Sequence, residues 1–388
     1  MRALLKEIEQ NGSNKSRKNE MLRQAIKFSL HEGEKSITEF CKHMRLSVPT
    51  GTKLVQELID KKIFLEAGKR DSASGRKPTV FDLNPSIGYV IGVELLLNSI
   101  RINILNLRHE VVFEFKNDSF DISKEDEAYR FLAKKIRELV QSSAVPRDKI
   151  LGIAIAITGR VDSKSGISYT YLQRYSPLTV SLENEWGIPV FIENDTRLMA
   201  LGERRFGMAK GKSDVIFVNL SQGLGISIIS NGLIHGGHSG FAGEFGHIHA
   251  LENERICVCG KKGCLETVVS GLALEEIYKE RYNMSLPYEQ ILSKMETGDK
   301  VLKAILSSMG EQLGNSLGTV VDIFNPEMIV IGGSFTHVAE FMKYSIIKGF
   351  SLQGLPQLIA DCEVEISSLG GQAVMLGSFS LVTEKVLK

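Results

Sequence analysis

Between Gly243 and Glu266 the chain reads GEFGHIHALENERICVCGKKGCLE, which gathers His247, Cys257, Cys259 and Cys264 into one short stretch with Glu244 before them and Glu266 after. Three thiols and an imidazole match a closed tetrahedral Cys₃His zinc site, where soft sulfur and nitrogen donors suit the metal and no position stays open for water. An isolated free cysteine is usually a buried packing residue. Here, however, three of the five cysteines fall between positions 257 and 264, on a Gly- and Lys-rich stretch with no apolar face to bury them. No signal peptide opens the chain, so the expected compartment is reducing and cytoplasmic, where disulfides do not persist. The expected cofactor is a structural Zn²⁺ that holds the carboxylates of Glu244 and Glu266 at the two ends of its loop.

A chain of 388 residues is too long for one core and predicts two or three domains. Hydrophobic content of 43% and charged content of 24% are ordinary for a globular protein. The longest apolar runs, such as Leu151 to Ile157, fall far short of the ~20 residues that span a bilayer, so no membrane insertion is expected. Net charge is +1 but unevenly placed. Residues 1–86 hold 17 Lys+Arg against 11 Asp+Glu (+6), and the remainder holds 30 against 35 (−5). A basic head on an acidic body points to a nucleic-acid partner for the head.

Residues 1–86 carry the signals of such a head. A helical pattern runs from Lys18 to Gly33, and Ser36 then opens a second helix, ITEFCKHM, with Glu39 as capping-box partner. Ser47 opens a third, with Pro49 tolerated in its first turn. Two short helices around a tight turn read as a helix-turn-helix, whose second helix offers its N-terminal residues, here Ser47, Pro49, Thr50, Thr52 and Lys53, to base edges. Strands are expected at Ile63–Glu66 and Thr79–Leu83, joined by the basic tip GKRDSASGRKP with Arg70, Arg76 and Lys77. That is the wing of a winged helix, able to reach phosphates or a minor groove. Cys41 and His43 read as packing or surface residues.

From residue 87 a rhythm repeats. VIGVELL, IRINILNL and VVFEF follow Tyr89; VIFVNL, GISIIS and LIHGG follow Asp214, with Asn231-Gly232 as a hairpin signal. Each set leads into helices (around Tyr129–Val140 and Val301–Val321) and a further buried strand (ILGIAIAIT and EMIVIGG). Two such halves predict an internal duplication with a ligand cleft between lobes. The expected domains are 1–86, a first α/β lobe at 87–199 completed by a C-terminal helix at 371–388, and a second lobe with the zinc loop at 200–370.

These stretches also resemble a family. EFGHIHALENERICVCGKKGCLE, IENDTRLMALGERRFG, LSQGLGISIISNGLIHGGHSGFAGE and NPEMIVIGGSF are similar to the fingerprints of the ROK family of repressors, open reading frames and kinases. The resemblance covers the whole chain, since the family's transcription factors also begin with a winged helix-turn-helix; Gly75-Arg76-Lys77-Pro78 approximates the glycine-arginine-proline run of their wing. It implies a two-lobed, actin-like and ribonuclease-H-like sugar-kinase fold behind the head. It also implies a monosaccharide site in which Asn194 and Asp195 bind sugar hydroxyls, Asp195 stands where kinases keep their general base, and Glu244, His247 and Glu266 complete the ring. Carboxylates and amides paired with vicinal hydroxyls select sugars well, because a lost partner strands a buried polar group. One nitrogen of His247 would bind zinc while the other faces the ligand. Gly159 would let the backbone approach the sugar. On local grounds alone, Asn194-Asp195 reads equally as a helix cap, and so does Glu266. His235, His238, His249 and Trp186 read as surface or packing residues.

The kinases of the family carry Asp-x-Gly-Gly-Thr on the opening hairpin, where this chain has Glu94-Leu95-Leu96-Leu97-Asn98, and Gly-Thr-Gly where it has Ser221-Gln222-Gly223. Side chains thus stand where phosphate must approach, although Gly332-Gly333 remains. The resemblance therefore implies a sugar-responsive regulator, most simply a repressor, without enzymatic activity. Its partners would be operator DNA, a monosaccharide effector and a second copy in a dimer or dimer of dimers. A sugar kinase with a DNA-binding extension is the alternative, and docking to a transporter or other protein, as in some relatives, is a third.

Overall fold

The computed structural model describes residues 16–70, 77–141, 145–250 and 254–387. The head begins with helix α1 (Ser16–Glu32), the short strand β1 (Lys35–Ser36), α2 (Ile37–Met44) and α3 (Val48–Asp60), followed by β2 (Phe64–Lys69) and β3 (Thr79–Leu83). The caps form as the residue types require. Ser36 Oγ accepts from the Glu39 amide, and Glu39 accepts from the Ser36 amide at 2.8 Å. Arg45 then takes a left-handed conformation (φ 53°) that turns the chain, and Ser47 caps α3 with Pro49 in its first turn. The three strands pair antiparallel in the order β1-β3-β2. Phe40, Phe64 and Phe81 are buried among them, with Phe81 5.4 Å from each of the other two rings.

The chain divides into two compact units: Met1–Ile155 with Leu172–Phe191 and Leu381–Lys388, and Ala156–Tyr171 with Ile192–Ser380. The head thus groups with the first unit, tied to it by Arg108 Nε on the Asp82 carboxylate at 3.2 Å and Lys149 Nζ on the Ser86 carbonyl at 2.9 Å. These divisions differ from those drawn on the sequence: residues 192–199 fall in the second unit, as does most of the C-terminal helix.

The duplication read from the sequence is present. One sheet contains β4 (Tyr89–Leu95), β5 (Ile100–Asn106), β6 (Val111–Asn117), β7 (Ile150–Ile157) and β10 (Val190–Asn194) in the order β10-β7-β4-β5-β6. The hairpin β8 (Val161–Asp162) and β9 (Ile167–Ser168) lies between β7 and β10 in sequence. The other sheet contains β11 (Val215–Leu220), β12 (Leu224–Ser230), β13 (Leu233–Ile234), β14 (Met328–Gly332) and β15 (Glu363–Ile366), ordered β15-β14-β11-β12-β13. The two orders correspond strand for strand: an antiparallel hairpin, then crossover strands added on its opening side. β7 is buried at all eight residues, as a strand covered on both faces must be. Asn231 and Gly232 both have positive φ (50° and 73°), which suits the two-residue hairpin between β12 and β13.

The helices are α4 (Glu125–Gln141), α5 (Leu178–Trp186), α6 (Asp195–Phe206), α7 (Gly271–Tyr282), α8 (Tyr288–Ser293), α9 (Lys300–Phe324), α10 (Thr336–Gln353), α11 (Pro356–Asp361) and α12 (Ala373–Val386). Trp186 is a packing residue, its indole donating to the Ala133 carbonyl at 3.3 Å. Among the described residues no helix is long and apolar enough to cross a membrane.

Position in α6 decides the site, because Asp195 begins that helix. A Cβ on Gly377 of α12 would stand 1.8 Å from the Leu198 carbonyl oxygen, and one on Gly202 would stand 2.3 Å from the Ala373 carbonyl. Only glycine lets the two backbones meet. Gly377→Val should therefore cost about 3 kcal/mol or more in urea unfolding, since neither backbone has a rotamer to yield. An unchanged midpoint would contradict the close approach.

Candidate functional site

The His–Cys stretch folds as a compact knuckle. His247 ends the 3₁₀ turn Phe245–His247, and the tip is closed by Gly260 N–H on the Cys257 carbonyl and Cys257 N–H on the Lys261 carbonyl, each at 2.8 Å. Gly260 and Gly263 supply the positive φ values (83° and 76°) the reversal demands. One ligand atom from each of His247, Cys257, Cys259 and Cys264 lies within 4.8 Å of all the others. Cys257 Sγ is 3.4 Å from His247 Nδ1, and the Cys259 and Cys264 sulfurs are 3.6 Å apart. That separation is far beyond the ~2.05 Å of a disulfide. It does match the donor–donor edges, roughly 3.5–3.8 Å, of a tetrahedron around a metal 2.0–2.3 Å from each donor. Burial pushes the Cys257 thiol up to about 12, so a cation beside it is what would favour the thiolate at neutral pH. The set fits a soft divalent metal.

This knuckle orients two carboxylates. Glu244 Oε2 lies 3.7 Å from His247 Nε2, the nitrogen turned away from the thiols. Glu266, on the turn Leu265–Thr267, accepts the Leu224 amide at 3.0 Å and has its other oxygen 3.9 Å from Cys257 Sγ. Glu266 therefore ties the knuckle to the first residue of β12.

The second cluster forms where β10 ends and α6 begins. Asn194 is the N-cap: its Oδ1 accepts from Arg197 N–H at 3.2 Å, while its Nδ2 donates to the Gly159 carbonyl at 2.9 Å. The local reading as a helix cap is thus correct, and one lone pair and one N–H remain for a ligand. Gly159 has φ 88°, and a Cβ there would stand 2.6 Å from Thr170 Oγ1. Asp195 is 8% exposed, and burial raises its carboxyl to about 6 against the hydrogen bonds from Thr196 and the Arg197 charge. Oδ1 accepts the Thr196 amide at 2.7 Å and its hydroxyl at 3.3 Å. The two clusters meet at β12. A Cβ on Gly225 would lie 3.3 Å from Thr196 Oγ1, and Leu224, the preceding residue, donates to Glu266.

Sequence reading missed three buried polar residues. Arg197 pairs with Glu193 at 2.6 Å and donates to the Val161 carbonyl at 2.6 Å and the Gly240 carbonyl, tying the β8 hairpin and the loop before Gly243 to α6. Thr196 and Asn219 join in a hydrogen bond of 3.0 Å. A charged residue on an otherwise buried helix, and an asparagine in the apolar strand VIFVNL, were the available signals.

Of the head residues singled out, Ser47, Pro49, Thr50, Thr52 and Lys53 share one exposed face at the start of α3. Cys41 packs beneath them against Gly51, and His43 stacks on Phe28 at 3.9 Å. The Arg70 guanidinium pairs with both oxygens of Glu39 at 2.6 Å, fixing the base of the β2–β3 hairpin to α2. Backbone donation from Ser36, then Arg70, holds Glu39 down at about 2. Lys77 is exposed, and Arg76 lies outside the described residues. A surface depression of about 620 Å³ in the first unit is lined by Asp126, Arg130 and Arg174 among others. Its charges are exposed and partly paired, Arg174 and Tyr175 both binding Asp126, and it holds none of the site residues.

The model of the ROK family matches residues 90–385. This chain belongs to the ROK family. It is 29% identical to the xylose repressor of Caldicellulosiruptor bescii, covering 91% of this chain and 92% of that one. It is 26% identical to the N-acetylglucosamine repressor of Escherichia coli O157:H7, covering 92% and 90%. Among solved structures it is similar to a ROK family transcriptional regulator described as a homolog of the E. coli MLC protein (TM-score 0.77, 28% identity, 94% of this chain and 96% of that one). It is also similar to a ROK glucokinase from Streptomyces griseus solved with glucose and AMPPNP (TM-score 0.66, 26% identity, 76% and 99%). The actin-like, sugar-kinase-like α/β domain expected from the sequence is thereby shown.

The Asp195 environment makes a signed prediction. With the folded pKa raised to about 6 from 3.8, the folded state holds that proton more tightly than the unfolded chain. The penalty on folding is therefore full above pH 6 and gone below pH 4. Asp195→Asn should raise stability at pH 8 by on the order of 1–3 kcal/mol and leave it unchanged near pH 3.5. Thermal melts at the two pH values would show it, and equal shifts at both would contradict the burial argument.

Proposed function

We propose that this chain is a sugar-responsive repressor of transcription: a winged helix-turn-helix head that reads operator DNA, and a kinase-like body that binds a monosaccharide at Asn194, Asp195, Glu244, His247 and Glu266. The observation that carries the reading is how much of the chain each likeness covers. Likeness to the glucokinase spans 76% of this chain, whereas likeness to the regulator spans 94%. The difference is about the size of residues 1–86. That head presents Thr50, Thr52 and Lys53 exposed in the first two turns of α3, where a recognition helix meets base edges.

The body supports binding in preference to catalysis. Where the kinases of the family have a glycine-rich first phosphate loop, Glu94 pairs with Arg101 at 3.5 Å and Leu95 is buried. In the second unit, the amides of Ser334, Phe335 and Thr336 are donated to Ser221 Oγ and to the Leu220 and Gly333 carbonyls, so they are not free to receive phosphate. The His247–Cys257–Cys259–Cys264 set is a structural zinc centre whose role is to hold Glu244 and Glu266. Sugar binding shifts the protein between two arrangements, and in a dimer on a two-fold operator a coupling of about 1–3 kcal/mol is enough to release DNA. The effector belongs to the class named by the relatives, a pentose or an aminohexose.

The kinase alternative has one observation in its favour, a carboxylate at Asp195 with the raised pKa of a general base. Sugar-dependent ATP turnover separates the two readings. The proposal expects none with D-xylose, D-glucose or N-acetyl-D-glucosamine; turnover abolished by Asp195→Asn would overturn it. Cys264→Ser should release the metal and lose sugar binding together, as read by a colorimetric zinc assay and calorimetric titration. Full sugar affinity in a zinc-free protein would remove the metal from its scaffold role.

A further inference from the structure

Asp195 is not held by its neighbours alone. Starting from its Oδ1, a series of side chains donates toward it in one direction. Thr196 Oγ1 donates to Asp195 at 3.3 Å, and Asn219 Nδ2 donates to Thr196 Oγ1 at 3.0 Å. Ser221 Oγ donates to Asn219 Oδ1 at 2.7 Å. Ser221 Oγ in turn accepts the Ser334 amide at 2.9 Å and the Ser334 hydroxyl at 3.4 Å. Tyr288 O–H closes the series on Ser334 Oγ at 3.2 Å, with its ring stacked on Phe335. A hydroxyl has one donor and two acceptor positions, so Ser221 is fully committed. The glycine pair is part of the fit: a Cβ on Gly333 would stand 2.5 Å from Asn219 Oδ1 and 2.6 Å from Ser221 Oγ.

We infer that Asn219 and Ser221 are positioning residues for the ligand-binding carboxylate of Asp195, and that the turn Gly333–Ser334 is retained to hold them. The inference rests on the sugar-binding reading above. Its physical content is orientation. Asn219 spans from Thr196 to Ser221, with both ends of its amide engaged, so the Thr196 hydroxyl has its lone pair occupied and its proton directed at Oδ1. With Oδ1 held by the Thr196 amide and hydroxyl, and the Thr158 side chain also bonded to the carboxylate, the group is fixed in the orientation in which it would meet a sugar hydroxyl. Donors aligned head to tail polarise one another, so the hydrogen bonds nearest the carboxylate depend on those farther out. The turn Gly333–Ser334 thus braces the Asp195 cluster through Ser221 and Asn219.

The test is calorimetric titration of the full-length zinc-loaded protein with D-xylose, D-glucose and N-acetyl-D-glucosamine, alongside melts and operator binding. Ser221→Ala and Asn219→Ala should each weaken the sugar that binds by about ten-fold while leaving the melting temperature within a few degrees and operator affinity unchanged. Ser221→Thr, which keeps the hydroxyl, should recover the wild-type affinity. Wild-type affinity in both alanine variants would overturn the inference and leave the sugar site standing. Loss in Ser221→Ala without recovery in Ser221→Thr would also overturn it, assigning Ser221 to packing. A wild-type protein that binds none of the three sugars would overturn the sugar-binding reading for this class, and the inference with it.

Discussion

Burial of one carboxylate at the head of α6 is the constraint that the surrounding residues answer. Asp195 is nearly sealed from solvent, and its ionised form is disfavoured there. The fold compensates with the α6 N-terminus, the Thr196 amide and hydroxyl, the Thr158 side chain and the Arg197 charge two residues on. Arg197 is itself buried, so it needs Glu193 and two carbonyls; those carbonyls belong to the β8 hairpin and the loop leading to Gly243. One buried charge thereby recruits two loops and a strand residue. The glycine contacts between α6 and α12 fix the helix on which all of this depends.

The His–Cys knuckle works by the same logic from the other side. It is a short loop with little apolar surface of its own, and Ile256 and Val258 on it are 72% and 80% exposed. Packing cannot be what orders it. Four soft donors can, and they aim Glu266 at the Leu224 amide, next to the glycine that faces Thr196. Carboxylates from two distant parts of the sequence thus flank the start of one strand, with an amide beside them.

Much of this was legible in the residues. Capping signals placed α2 and α3 because Ser36–Glu39 and Ser47–Thr50 are local interactions, complete within one turn of chain. Period-two apolar runs located the strands of both halves, and cysteine spacing gave the metal set. Contacts that close only in three dimensions were not legible. Glu39, the partner of Arg70, lies 31 residues away in sequence, and Asn219, a residue of β11, meets Thr196 and Ser221 only once the chain has folded. The compact units divide the chain elsewhere for a related reason. Composition does not change before α6 or along α12, and the backbone contact between those two helices is what groups them.

The central claim is that one protein reads DNA with its head and a monosaccharide with its body, and that the two bindings oppose each other. The most direct measurement is fluorescence anisotropy of labelled DNA from upstream of this protein's own gene, titrated with the zinc-loaded protein across a panel of monosaccharides at fixed salt. The account predicts tight, salt-dependent binding that one sugar releases and the others leave intact. Binding that no sugar alters, or no binding at any salt concentration, would contradict it.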